Sequence, residues 1–142
     1  MFRQIDSEFS ASPQISLDDV ARAAEMGFSM IINNRPDGEE PDAPQGDAIA
    51  AAAAQHDLSY VYIPVTHAGF SHFQVETMGA ALQRAQGPVL AYCRSGTRST
   101  LLWALTVVKD GRPVEEVTRL AAAQGYDLSP IRPMLDGLAA SR

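Results

Sequence analysis

Short apolar runs separated by amphipathic stretches constrain this chain more than any other feature of its sequence. Residues 28–33, 58–65 and 89–92 are too short for buried helices. They are rich in β-branched, aliphatic and aromatic side chains and are bounded by glycine, proline or polar residues, which predicts strands buried on both faces. The stretches between them carry helix signals. Ser16-Leu17-Asp18-Asp19 is a capping-box-like start for a helix to about Met26, with Gly27 as its stop. Asp47 is expected to cap an alanine-rich helix through about His56. Ser71 is expected to cap a helix to about Gln86, where Gly87-Pro88 breaks the pattern. A further helix is expected from Arg98 or Ser99 through Lys109, with Leu101, Leu102, Leu105 and Val108 on one face and Gly111 at its end. Pro113 and Gly125 bracket another helix, and Ser129-Pro130 opens the last. Strands alternating with helices imply an α/β domain: a central, mostly parallel sheet of four to five strands flanked by helices, spanning residues 1–142 without an internal linker.

Charge and cysteine usage narrow the function classes. Eleven Lys plus Arg against seventeen Asp plus Glu give a net charge of −6, which argues against nonspecific binding to nucleic acid or anionic membranes. Any anion site must therefore be local. Lys109 is the sole lysine, so the basic side chains are almost all arginine, the better residue for bidentate anion recognition. The single cysteine, Cys93, excludes an intrachain disulfide and a thiolate-rich zinc site, and a reducing cytoplasm is the expected compartment. The N-terminus lacks a signal peptide's apolar stretch, and the apolar runs at 48–54 and 101–108 are too short to span a bilayer. No metal or cofactor is expected: His72 and Glu76 lie one helical turn apart, but two ligands make no site.

The chemistry concentrates in Val89-Leu90-Ala91-Tyr92-Cys93-Arg94-Ser95-Gly96-Thr97-Arg98-Ser99, where a buried strand ends on a cysteine, a small-residue loop follows and a helix begins at once. Backbone N–H groups from Arg94 to Ser99, including those of Ser95, Gly96 and Thr97, are expected to converge on one point. The helix dipole adds positive potential at the same place. Gly96 permits the tight curl, Arg98 can clamp an anion bidentately, and the field favours a nucleophilic thiolate at Cys93. Ser99 is read as a partner of the thiolate or as the helix cap. Arg94 orients an anionic donor at the mouth or is merely solvated.

The pattern Cys-x-x-Gly-x-Arg-Ser resembles the active loop of tyrosine and dual-specificity phosphatases and of rhodanese sulfurtransferases. A broader set of segments is similar to the phosphatase-like domain of beta-lactamase-hydrolase-like proteins: Ser12-Pro13-Gln14-Ile15, Ile31-Ile32-Asn33-Asn34-Arg35-Pro36-Asp37-Gly38-Glu39-Glu40, Ile63-Pro64-Val65 and Tyr92 through Ser99. The resemblance implies a dual-specificity-phosphatase-like fold, found alone or fused to a metallo-hydrolase domain of the persulfide dioxygenase type. It also implies an activity of either the phosphatase or the sulfur-transfer kind.

Two departures from the phosphatase pattern favour sulfur. Four residues, not five, separate Cys93 from Arg98, and a narrower ring suits the single outer atom of a persulfide better than the three outer oxygens of a phosphoryl group. Tyr92 also stands where phosphatases usually carry histidine. Phosphate-ester hydrolysis further needs a proton donor for the leaving oxygen. The loop after residues 63–65 offers no aspartate, leaving His67, His72 or, from the other loop, Asp37. Arg35 and Asp37 are placed as candidate walls of the site. The favoured reading is a sulfurtransferase that takes sulfur from a small anionic donor as a Cys93 persulfide and passes it to a thiol acceptor, with a persulfide dioxygenase as a possible partner implied by the resemblance. The alternative is hydrolysis of phosphate monoesters through a phosphocysteine, and the third reading is a noncatalytic anion or persulfide sensor.

Overall fold

A computed structural model describes all 142 residues. Five strands form one sheet: β1 (Arg3–Gln4), β2 (Phe9–Ser12), β3 (Met30–Asn33), β4 (Ser59–Tyr62) and β5 (Val89–Tyr92), in the order β1-β2-β5-β3-β4. Only the β1–β2 pairing is antiparallel. The helices are α1 (Leu17–Glu25), α2 (Gly46–Gln55), α3 (His72–Arg84), α4 (Thr97–Lys109), α5 (Val114–Ala123) and α6 (Arg132–Ala140). The expected mostly parallel α/β sheet with flanking helices is thus the observed architecture.

The period-two alternation of the strands divides the core. Met30, Ile32, Val89 and Ala91 pack against α3, α4, α5 and α6, whereas Ile31, Leu90 and Tyr92 pack against Val20 and Ala23 of α1 and Ile49, Ala52 and Ala53 of α2. α4 is the central helix of the larger layer. Trp103 is buried there and stacks on Phe9 at 5.4 Å between ring centroids. β5 lies between β2 and β3, so the carboxyl ends of three parallel strands meet at one edge, where ligand crevices form in open α/β sheets.

Several boundaries differ from expectation for local reasons. β1 and β2 carry no long apolar run and are absent from the sequence reading; parallel pairing of β2 with β5 supplies what local propensity lacks. β3 and β4 are shorter than their apolar runs because the flanking residues leave the ladder for turns. The Ser16 and Ser71 capping boxes both form, the latter with Gln74. Asp47, expected to cap α2, instead lies in its first turn. The N-cap is Gln45, without a side-chain bond, and the acceptor comes from across the loop, where Asp37 Oδ1 receives the Gly46 N–H at 2.8 Å. α4 begins at Thr97, one residue before the earliest expected start, with Gly96 as N-cap at φ +91°.

Replacing Asp37 with alanine should cost about 1 kcal/mol in urea unfolding, the usual loss for a helix N-terminal acceptor, while Asp37→Asn should retain most of that stability.

Candidate active site

β5 delivers Cys93 to the sheet's carboxyl edge on the α4 side, and the backbone turns into α4 after only Arg94, Ser95 and Gly96. Cys93 has no exposed surface. Its Sγ accepts a hydrogen bond from the Gly96 N–H at 3.1 Å. The orientation of the loop follows from its carbonyls, each of which is held by a donor outside it. Gln14 N–H donates to Arg94 O at 3.3 Å and the Tyr126 hydroxyl to Ser95 O at 3.2 Å. Thr100 donates to Gly96 O through its N–H at 3.0 Å and its hydroxyl at 2.9 Å. With the oxygens drawn outward, the amides of Arg94, Ser95, Arg98 and Ser99 donate to no group in the chain. These unpaired amides lie before and within the first turn of the thirteen-residue α4, at the positive end of its dipole. Of the amides expected to converge, that of Gly96 reaches Cys93 Sγ, whereas the Thr97 N–H turns to Ser95 Oγ at 3.3 Å.

Gly96 is required here twice over. Its left-handed φ disfavours any side chain, and a Cβ would overlap the Tyr126 hydroxyl. Ser99 does not cap the helix, because Gly96 holds that position. Its Oγ is fully buried with no hydrogen-bond partner. Arg94 is exposed at the rim.

Arg98 is tied to Glu39, a residue that the sequence reading quotes in a motif but assigns no role. The Arg98 Nη1 and Nη2 atoms reach the two Glu39 carboxylate oxygens at 2.7 and 2.8 Å, and Nη1 also donates to Val65 O at 2.7 Å. Glu39 is shared with Arg35, whose Nε donates to it at 2.9 Å and whose Nη1 reaches Gln14 Oε1 at 2.9 Å. Arg35 is buried and organises the β3–α2 loop, while Asp37 points its carboxylate at the start of α2. The Arg98 hydrogen bond, reinforced by Arg35, holds the Glu39 carboxyl down at about 2 against the cost of burial. The bond to Glu39, with a further contribution from Cys93, raises the pKa of Arg98. The Val65 contact brings the start of the β4–α3 connection to the guanidinium. His67 lies in the exposed turn that follows, and His72 is the exposed first residue of α3. A groove of about 880 Å³ opens elsewhere, along α3, the end of α4 and the start of β5, and includes none of the loop residues.

The five-stranded, mostly parallel sheet with its flanking helices is that of the tyrosine and dual-specificity phosphatase fold. Human DUSP28 superposes with a TM-score of 0.72 over 99% of this chain and 96% of its own, at 16% identity, a likeness of fold alone. A candidate phosphatase from Neisseria meningitidis is nearer, with a TM-score of 0.83, 36% identity and 96% of both chains covered. The chain belongs to the family of the phosphatase-like domain of beta-lactamase hydrolase-like proteins, whose model matches residues 1–109. The Beta-lactamase hydrolase-like protein of Xylella fastidiosa is 39% identical over 125 residues, covering 87% of this chain but 29% of that protein. The chain thus spans less than a third of the length of such relatives. Together these likenesses make the chain a phosphatase-like domain.

Glu39 sets an acid limit on stability. Its folded carboxyl titrates below the unfolded one, so its contribution is complete above the ordinary carboxylate range and is lost as pH falls toward about 2. Melting temperature measured from pH 6 to pH 2 should therefore fall more steeply for wild type than for Glu39→Gln, whose neutral amide has no such contribution to lose.

Proposed function

We propose that this domain is a sulfurtransferase that carries sulfane sulfur on Cys93. The observation that supports this most is the placement of the Gly96 N–H on Sγ itself, at 3.1 Å, within a loop that sets only four residues between Cys93 and Arg98. A ring drawn in this closely is matched to one atom beyond Sγ rather than to three phosphoryl oxygens. In the first step the Cys93 thiolate attacks the outer sulfur of a thiosulfate-like donor. An S–S bond forms to Cys93, the donor's S–S bond breaks and sulfite leaves with its electron pair. The persulfide anion then lies among the free amides of Arg94, Ser95, Arg98 and Ser99. A thiolate acceptor attacks its outer sulfur, releasing an acceptor persulfide and restoring the Cys93 thiolate. Neither step needs a proton delivered to a leaving oxygen. That suits a site in which the carboxylate paired with Arg98, Glu39, is held ionised by Arg98 and Arg35. Cys93 has no exposed surface, so a donor must displace part of the mouth. Glu39, held by ion pairs at its rim, is the group able to swing aside for an anion at Arg98.

Hydrolysis of a phosphate monoester through a phosphocysteine is the second reading. The comparisons favour it, since the matching family model and the similar solved structures are of phosphatase type. The Arg98–Val65 contact adds a local reason, because it ties the connection bearing His67 and His72, the available proton donors, to the loop's arginine. The acceptor thiol, a small anionic donor and a persulfide-oxidising partner belong to the first reading. A phosphate ester belongs to the second.

Intact-mass analysis after thiosulfate treatment should show a gain of one sulfur atom in wild type and none in Cys93→Ala. Arg98→Lys, which loses the planar fork, should lower thiosulfate:thiol turnover about a hundredfold. Turnover of an aryl phosphate alone, abolished in Cys93→Ser, would overturn the sulfur reading. Anion binding without any turnover would replace both readings with a sensor.

A further inference from the structure

We propose that Tyr126, in the turn after α5 and outside the residues matched by the family model, is a positioning residue that fixes the Ser95–Gly96 peptide so that its N–H points at Cys93. This rests on the reading of Cys93 and its loop as the reactive centre, and it holds for either sulfur or phosphate chemistry.

The argument begins with the planarity of one peptide unit. Ser95 O and the Gly96 N–H are opposite ends of the same trans amide, so their directions are locked antiparallel. Holding the oxygen outward on the Tyr126 hydroxyl, at 3.2 Å, turns the N–H inward to Sγ, at 3.1 Å. No other hydrogen bond reaches either end of this unit, and Gly96, with no Cβ, offers less steric resistance than other residues to a rotation of the peptide between its held neighbours. Without an anchor on Ser95 O, a flip of this one peptide would aim a carbonyl oxygen at the sulfur and replace an attractive dipole with a repulsive one.

Tyr126 is itself held firmly enough to serve. It is 5% exposed and belongs to the larger core layer. The Arg3 guanidinium of β1 lies over its ring at 5.4 Å, and Arg3 Nη1 donates to Gln124 O at 2.7 Å, fastening the turn from its other side. Gly125, at φ +89°, lets the chain reverse between these contacts. Burial raises the pKa of the Tyr126 hydroxyl, so it remains a protonated donor across the working range. The N-terminal strand therefore supports the reactive loop through a tyrosine 33 positions after the cysteine.

The test uses the single cysteine as its own probe. Thiolate absorbance in the ultraviolet is titrated for the intact protein and for Tyr126→Phe, each against its Cys93→Ser counterpart, which removes the tyrosine background. Tyr126→Phe keeps the ring and removes only the hydroxyl. The thiolate midpoint should move to higher pH in Tyr126→Phe. Its turnover at neutral pH should fall roughly three- to tenfold, as for one lost hydrogen bond, with the deficit shrinking at alkaline pH. Superimposable titrations with a lowered melting temperature would overturn the proposal and leave Tyr126 a packing residue. Should Tyr126→Phe fail to fold, Arg3→Met, which frees the ring on one face, should shift the midpoint in the same direction by less; an unchanged midpoint there would also overturn the proposal. The absorbance readout needs no substrate, so a negative thiosulfate assay bears on the sulfur reading and not on Tyr126.

Discussion

The site depends on the outward anchoring of three consecutive carbonyls. Arg94 O, Ser95 O and Gly96 O are each paired with a donor from elsewhere: the β2–α1 connection, the turn after α5 and the first turn of α4. A short loop with small side chains has no intrinsic preference for pointing its amides inward. Backbone oxygens left unpaired would compete for the same space around Sγ. Fixing the oxygens decides the question, and the N–H groups, the α4 dipole and Arg98 then add at one place in a chain whose net charge is −6.

Around this loop the charges are paired in series. Arg35 is buried and carries Glu39, and Glu39 carries Arg98. A buried arginine without a counter-ion would be costly, so the Pro-rich segment between β3 and α2 does more than connect them. It sets a carboxylate on Arg98 and orients the guanidinium proposed to clamp the anion. Arg98 is thereby restrained before a donor arrives, which reduces the ordering cost of binding. The same pairing leaves Glu39 ionised, which is why proton donation falls to other groups in any phosphate-ester mechanism.

Much of the architecture could be read from residue patterns, and what could not is non-local. β5 is found with its exact bounds because Val89 to Tyr92 is a compact apolar run between Gly87-Pro88 and the loop. Both serine caps are local motifs and both form, Ser16 as the expected capping box and Ser71 in a box that Gln74 completes. β1 and β2 escape detection because their identity as strands comes from pairing with each other and with β5. The α2 cap is assigned to Asp47 by proximity, whereas Asp37 reaches it across a loop, a contact no spacing rule predicts. Cys93, Arg98 and Gly96 stand out because the strand–loop–helix signature is contiguous. Glu39 and Tyr126 do not, since their importance lies in contacts 59 and 31 residues distant. Glu39 nevertheless sits in the Arg-Pro-Asp-Gly-Glu-Glu segment that carries the family resemblance, and that membership is the signal that could have found it. Tyr126 offers no such signal.

The central claim is that an anion beside Cys93 is held by the loop's own amides together with Arg98. Titrating thiosulfate into uniformly nitrogen-15-labelled protein tests this directly. The account predicts that the amide resonances of Arg94, Ser95, Arg98 and Ser99 and the side-chain resonance of Arg98 shift together along one saturable curve. Saturable binding that leaves those resonances in place and moves others, such as those lining the groove between α3 and α4, would contradict it.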